Sequence, residues 1–324
     1  MTDALATTLL ACLVALVVTP GLIRGLGALG LQTLHRLKAD RDNRAFVRLH
    51  EHKSGTPVGG GLLMIVAGTI AGALALDGWS RIVVLAAFLA FAVLGLADDV
   101  SKGLVRAGVW RDDLAALPRF AAQWLIGGAV AVALWRGLGL QSVQIPWIGG
   151  LDLGFGYVLL AAMAIVSTVN AVAVTDGLDG LAGGLLVIAL GALLVVALQR
   201  GRTDLAMVCG ALIGSTLGFL FFNMHPARIF MGDVGSQALG AALVVVALLL
   251  DMLVPFVLLI GVFAVEISTS LVQIVALRAG RRVFRIAPLH HHLEALGWPE
   301  TQITHRFWLA GAVLAIGALL IANS

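Results

Sequence analysis

Charge is what this chain has least of. Of its 324 residues only 12% are Asp, Glu, Lys or Arg, whereas 60% are hydrophobic. A soluble domain carries about 25% charged and about 45–50% apolar residues. That shortfall, with a mean hydropathy of +1.01, excludes a soluble globular enzyme, a disordered chain and a nucleic-acid-binding domain. Cysteine is scarce too. Cys12 and Cys209 each lie inside an apolar run, and neither has a neighbour at metal-ligand spacing. A disulfide framework is therefore not expected. The N-terminus has Asp3 but no Lys or Arg before the first apolar run. No cleavable signal peptide is expected, and that run reads as a retained helix. Internal repeats and low-complexity tracts are lacking as well.

What is there suits a bilayer. A spanning helix needs about 20 apolar residues. Ten apolar segments can be placed, at 4–31, 57–76, 82–97, 117–135, 155–173, 180–198, 204–222, 237–250, 253–277 and 306–322. The expected fold is an all-α integral membrane protein, one polytopic domain over residues 1–324. Residues 141–152, with Pro146 and nearby glycines, read as a short extramembrane hairpin. Lys and Arg collect on cytoplasmic loops. Sixteen fall on odd-numbered loops or their borders and four on even-numbered ones. Cytoplasmic loops are therefore expected near 32–56, 98–116, 174–179, 223–236 and 278–305, with both termini outside. The net charge of +3 follows that topology rather than a nucleic-acid partner. Gly210, Gly214 and Gly218 share a helix face, as do Gly68 and Gly72. Small residues at this spacing let helices approach closely, here read as packing within one bundle rather than a dimer seam.

The unusual polar residues share a parity. Lys53, Asp98-Asp99, Asn170 with Asp176 and Asp179, Asn223 with Asp233, and His290-His291-His292 all fall on the expected cytoplasmic loops or helix ends. One membrane face can gather them into an active site. Asp98-Asp99 would end the third span, where adjacent carboxylates call for a cation or a phosphate-bound Mg²⁺. Glycines flank Asp176 and Asp179, which suggests a tight turn close to a ligand. In the stretch from Gly232 to Ser236, Asp233 can hold a hard metal, and the helix start can offer open amides to phosphate. Three adjacent histidines cannot all point one way on a helix, so one or two are expected to meet a phosphate. Glu266 is the one acidic residue deep in a span. It reads as an interhelical hydrogen bond, with Ser268, Gln273 or a neighbour as partner, although any intramembrane carboxylate is a functional candidate.

In this order the motifs resemble the polyprenyl-phosphate N-acetylhexosamine-1-phosphate transferases. The resemblance covers about residues 50–310. It rests on 50–57, on Ala97-Asp98-Asp99 with Lys102, and on 170–182, 223–240 and 285–308. Ala287 to Glu294 and Gly297 to Glu300 look like the branch that uses a muramoyl substrate. The resemblance implies a ten-helix bundle in the bacterial inner (plasma) membrane, with a requirement for Mg²⁺ and an expectation of homodimers. Undecaprenyl phosphate would attack the β-phosphate of UDP-N-acetylmuramoyl-pentapeptide, giving lipid I and UMP. It further implies that Asp233 is the Mg²⁺ ligand and that Asp98, with Asp99, orients or deprotonates the lipid phosphate. Lys53 and Lys102 would bind phosphate, and Asp176 and Asp179 would face nucleotide or metal. His290, His291 and His292 would hold the diphosphate or sugar side. Asn170, Asn223, Gly232, Ser236 and Arg119 fall at substrate-contacting positions, Arg119 replacing a family lysine.

Two other departures stand out. Ala173 replaces the family's second Asn, removing a polar ligand, and Val58-Gly59 follow Pro57 where the family has Thr-Met. Three rival readings are weaker. A UDP-N-acetylglucosamine-type transferase is opposed by the histidine motif. A secondary transporter would keep its polar site near the bilayer midplane. A catalytically dead scaffold has only Ala173 in its favour.

Overall fold

A computed structural model describes residues 1–32, 53–106 and 115–323. The expected loop at 32–56 and the middle of that at 98–116 fall mostly outside the described residues, Arg111 and the first residues of the 50–57 motif with them. The described chain is helical apart from one hairpin. Its elements are α1 (Thr2–Ala28), α2 (Gly61–Ala75), α3 (Gly78–Arg106), α4 (Ala116–Leu138), β1 (Ser142–Ile145), β2 (Gly149–Asp152), α5 (Gly156–Thr175), α6 (Leu181–Gln199), α7 (Thr203–Asn223), α8 (Asp233–Leu249), α9 (Leu253–Leu259), α10 (Gly261–Arg278), α11 (Leu289–Ala295) and α12 (Glu300–Ala322). Nine of the described helices are long and apolar enough to cross a membrane, and α2 is apolar but shorter. This is a multi-pass membrane protein.

The expected segments map onto these helices with three corrections. Asp98-Asp99 do not start a loop; α3 runs two turns beyond them, because Val100 to Val105 continue a helix-compatible run. The unfavourable helix end expected for the two carboxylates is therefore not where they sit. The expected ninth span divides at Ile260 into α9 and α10. The expected loop at 278–305 is partly helical, holding α11 and the first turns of α12. The hairpin stands where it was expected, with Ser142 opposite Asp152 and Ile145 opposite Gly149.

The centre of the bundle is α8, packed chiefly against α3 and α5, with α2 and α6 also touching it. Val244, Val245, Val246 and Ala247 of α8 are wholly buried, as a helix apolar on every side must be. The glycine face of α7 packs on α1. A Cβ on Gly214 would lie 2.0 Å from the Thr8 carbonyl, and one on Gly218 would lie 2.5 Å from Ala15 Cβ. This face is spent within the bundle and is not a dimer seam. Two other close approaches position the polar residues. A Cβ on Gly95 of α3 would lie 2.1 Å from the Asp233 carbonyl, and one on Gly61 of α2 would lie 2.2 Å from Gly235 Cα. Glycine at both places lets α2 and α3 reach the start of α8.

Candidate active site

The ends of α3, α5, α7 and α10 and the starts of α4, α8 and α12 lie at one end of the bundle. Three polar groups form there. The first joins α3, α4 and α8. Lys102 Nζ lies 2.7 Å from Asp98 Oδ2 and 2.5 Å from Asp233 Oδ2. Arg119, at the start of α4, donates to the same Asp98 oxygen at 2.6 Å. Asp98 is fully buried, and a buried carboxylate requires such partners. Its other oxygen, Oδ1, is buried with no hydrogen-bond partner among the described residues.

Asp99 has a different task. Its two oxygens accept the backbone N–H groups of Asp233 at 3.1 Å and Val234 at 3.0 Å. Gly232 at the N-cap has no side chain to satisfy those donors, so Asp99 caps α8 from another helix and places negative charge at the positive end of its dipole. The next two amides, of Gly235 and Ser236, donate to the Gly232 carbonyl. All four amides at the start of α8 are engaged, which corrects the expectation that they stand open to phosphate. The Ser236 hydroxyl is buried without a partner among the described residues.

The second group surrounds the turn after α5. Lys53 Nζ lies 2.8 Å from Asp179 Oδ1 and 2.5 Å from Glu300 Oε1. Asp179 Oδ2 accepts from the Ala227 N–H at 2.9 Å and lies 3.1 Å from His225 Nδ1. Burial would raise the Asp179 carboxyl, but Lys53 beside it outweighs this and holds it below the usual carboxylate range. Asn223 accepts the Gly180 N–H at 3.1 Å and donates to the Ile229 carbonyl at 2.9 Å. It ties the turn to the strand-like chain before Gly232. Gly180 itself has φ +75°, a conformation that favours glycine. Asp176 connects the two groups. It is partly buried, and its carboxyl is pushed up to about 7, first by burial and then by the like charges of Asp233 and Asp99.

The third group is made by α11. His290 Nδ1 lies 2.8 Å from Glu266 Oε2, and His291 Nδ1 lies 2.6 Å from Glu294 Oε2. Both rings approach the turn at Gly177, where a Cβ would lie 2.4 Å from His290 Nε2 and 3.2 Å from His291 Nε2. His292 diverges; its Nδ1 accepts the Arg285 N–H at 3.1 Å. The helical turn between successive histidines separates two from the third. Asn170 lies apart in an amide chain, donating to Gln123 at 2.8 Å and to the Val166 carbonyl at 2.8 Å. The bond to Gln123 joins α4 to α5, and the bond to Val166 stays within α5.

Two sets of residues can be weighed as metal ligands. Ligand atoms of Asp179, His225 and Glu300 lie within 4.8 Å of one another, a grouping that could hold a metal ion. Lys53 already supplies positive charge at Asp179 and Glu300, as Lys102 does at Asp98 and Asp233. Asp98 and Asp233 offer oxygen atoms alone, and the buried, unpartnered Asp98 Oδ1 gives this pair capacity for another positive partner. That donor set fits a hard divalent cation such as Mg²⁺.

A family model described as glycosyl transferase family 4 matches residues 81–251, just over half of the chain. The chain belongs to glycosyl transferase family 4. The match takes in Asp98, Asp99, Lys102, Arg119, Asp176, Asp179 and Asp233. Full-length relatives extend the similarity over Lys53 and the histidines. The phospho-N-acetylmuramoyl-pentapeptide-transferase of Moorella thermoacetica is 38% identical over 99% of this chain and 99% of its own. That of Geobacillus kaustophilus is 39% identical over 91% of this chain and 93% of its own. The Bacillus velezensis protein of the same name is 34% identical over 98% and 97%. Within glycosyl transferase family 4, the chain is thus a member of the family that these transferases represent.

Sequence reasoning assigned no role to Glu300 and His225. Glu300 follows Pro299 at the start of α12, a place that favours an acidic residue for helix reasons alone. Its contact with Lys53 spans 247 residues and leaves no local signal. His225 lies within the 223–240 segment but matches no ligand spacing.

Proposed function

We propose that the protein transfers phospho-N-acetylmuramoyl-pentapeptide from its UDP-linked precursor to undecaprenyl phosphate, giving lipid I and UMP. The reading is supported by the names of its full-length relatives. It is carried by one observation of geometry: Asp98, Lys102 and Asp233 converge, mostly buried, beside the turn that brings Asp176, Asp179 and the two histidines together. This end of the bundle is the cytoplasmic one in our reading, with both termini outside, because Lys and Arg crowd its loops. The setting is the bacterial inner membrane.

An oxygen of the lipid phosphate attacks the sugar-bearing β-phosphorus of the nucleotide substrate. The bond from that phosphorus to the bridging oxygen breaks, and UMP leaves with the electron pair. The attacking monoester has a second pKa of about 6, so it is ionised near neutral pH without a strong base. Like charges must instead be held together, and this chain supplies the means. Lys102 and Arg119 offset the carboxylates and attract phosphate. Lys53 and Asp179 bind the nucleotide side. His290 and His291 donate to the diphosphate, and preorganised donors of this sort stabilise charge as it spreads in the transition state. Asp233, with Asp98, would hold Mg²⁺, which when bound neutralises diphosphate charge. Asp99 is engaged through both oxygens in capping α8, and so its task is positioning. The displacement is direct, without a phospho-enzyme.

The test is UMP release by the purified full-length chain in detergent, given UDP-N-acetylmuramoyl-pentapeptide, undecaprenyl phosphate and Mg²⁺. Release from this substrate is expected, with none from UDP-N-acetylglucosamine, and Asp233→Ala is expected to lower it by about 100-fold or more. Release from the glucosamine substrate alone would move the protein to the sister reaction. A phosphorylated Asp98 or Asp99 trapped during turnover would overturn the direct displacement.

A further inference from the structure

Glu266 belongs to α10 and is wholly buried. The partners expected for it were Ser268, Gln273 or a neighbouring helix. Gln273 instead accepts the Val283 and Phe284 N–H groups at 3.2 and 2.9 Å. Glu266 pairs with His290, which is also wholly buried. The His290 backbone N–H lies 3.2 Å from Oε1, and Nδ1 lies 2.8 Å from Oε2. One hydrogen lies between Nδ1 and Oε2 in that contact. That leaves Nε2 as the atom directed at Gly177, in the turn that carries Asp176.

We propose that Glu266 is a positioning residue, which through Nδ1 orients His290 and holds it doubly protonated, so that its Nε2–H faces the diphosphate of the substrate. The proposal rests on the transferase reading above. A carboxylate within a membrane helix is costly unless paired, and this one is paired with the histidine nearest the turn. A carboxylate at Nδ1 also favours the imidazolium, whose Nε2–H makes a charge-assisted bond to an anion. The neighbouring ring is built alike: His291 has Glu294 at Nδ1, and the two ring centroids stand 4.1 Å apart. His292 has a backbone donor at Nδ1 in place of a carboxylate, and it diverges from the pair.

A purely structural role would have Glu266 tie α10 to α11 and nothing more. Glu266→Gln separates the two, since it keeps the shape and an accepting oxygen but removes the charge. With the purified full-length chain, UMP release gives kcat and KM for the UDP-linked substrate. Glu266→Gln is expected to lower kcat on the order of tenfold or more while KM stays within about twofold. In a His290→Gln background the same change is expected to add no further loss, because both act through one ring. Wild-type kcat in Glu266→Gln, or the same proportional loss in both backgrounds, would overturn the proposal. If Glu266→Gln has no folded thermal transition in detergent, nitrogen NMR of histidine-labelled wild-type protein decides. A hydrogen on each ring nitrogen of His290 is expected, and a neutral ring would overturn the proposal. If the wild-type protein releases no UMP from the muramoyl substrate, the transferase reading fails, and the NMR result still judges the Glu266–His290 pairing.

Discussion

The two ends of the bundle carry ion pairs of opposite character. At the site end, Lys53 and Asp179 are 5% and 2% exposed, and most pairs join residues far apart in sequence: 53 with 179 and 300, 102 with 233, and 119 with 98, the local pair of Lys102 with Asp98 being the exception. At the other end, Arg81 pairs with Asp77 and Arg202 with Asp204, each within a turn of chain and each exposed to a substantial degree. Hydrated local pairs contribute little. Buried pairs do not add much net stability either, yet breaking one leaves a charge without compensation. The site-end pairs therefore fix which helices meet, and the proposed handling of phosphate charge would account for tolerating their cost. The other end has the ordinary chemistry of a helix terminus in water.

This difference can be broken experimentally. Lys53→Met removes the ammonium shared by Asp179 and Glu300 and leaves their two buried carboxylates with His225 as the shared contact among the described residues. A destabilisation of about 3–5 kcal/mol is expected, read as a lower thermal transition in detergent, together with loss of UMP release. Lys53→Arg keeps the charge and should lose less of both. A Lys53→Met protein as stable as wild type would mean that the carboxylates protonate or hydrate freely, and the distinction between the ends would fall. Gly232→Ala probes the neighbouring group. Gly232 has φ +78°, and a Cβ there would lie 2.6 Å from Asp99 Oδ2. Strain of about 1–3 kcal/mol is expected, with kcat reduced because the Asp99 cap and the start of α8 shift together. Unchanged stability and kcat would show that Asp99 does not hold α8 in place.

How far the sequence was legible follows the same division. The spans and the hairpin could be read because hydropathy and turn residues are local signals. The end of α3 was misplaced because charge at Asp98-Asp99 looks like a loop when its distant partners, Arg119 and the backbone amides at the start of α8, are unseen. The gathering of Lys53, Asp179, Asp233 and the histidines at one end was legible from parity alone. Which atoms touch was not. Asp98 and Asp99 are adjacent and chemically identical, and only the packing of α3 against α8 at Gly95 gives one to Lys102 and Arg119 and the other to backbone amides. Glu266 read as an interhelical tie, and it is one. Its partner lies 24 residues away on a short helix that hydropathy could not predict.

The smallest expected effect belongs to Arg202, and it sets the scale for the others. Its guanidinium donates twice to Asp204, at 2.9 and 2.7 Å, which is the best geometry of the pairs at its end. Asp204 also lies in the first turn of α7, where a negative charge is favoured without any partner. Arg202→Ala should thus shift stability by about 1 kcal/mol or less, and the shift should shrink further as salt is added. UMP release should not change, since Arg202 stands at the far end of α7 from Asn223. A loss comparable to that in Lys53→Met would mean that geometry rather than burial governs these pairs. A negligible loss, beside a large one at Lys53, would tie the importance of a pair in this protein to what surrounds it and to the distance in sequence that it closes.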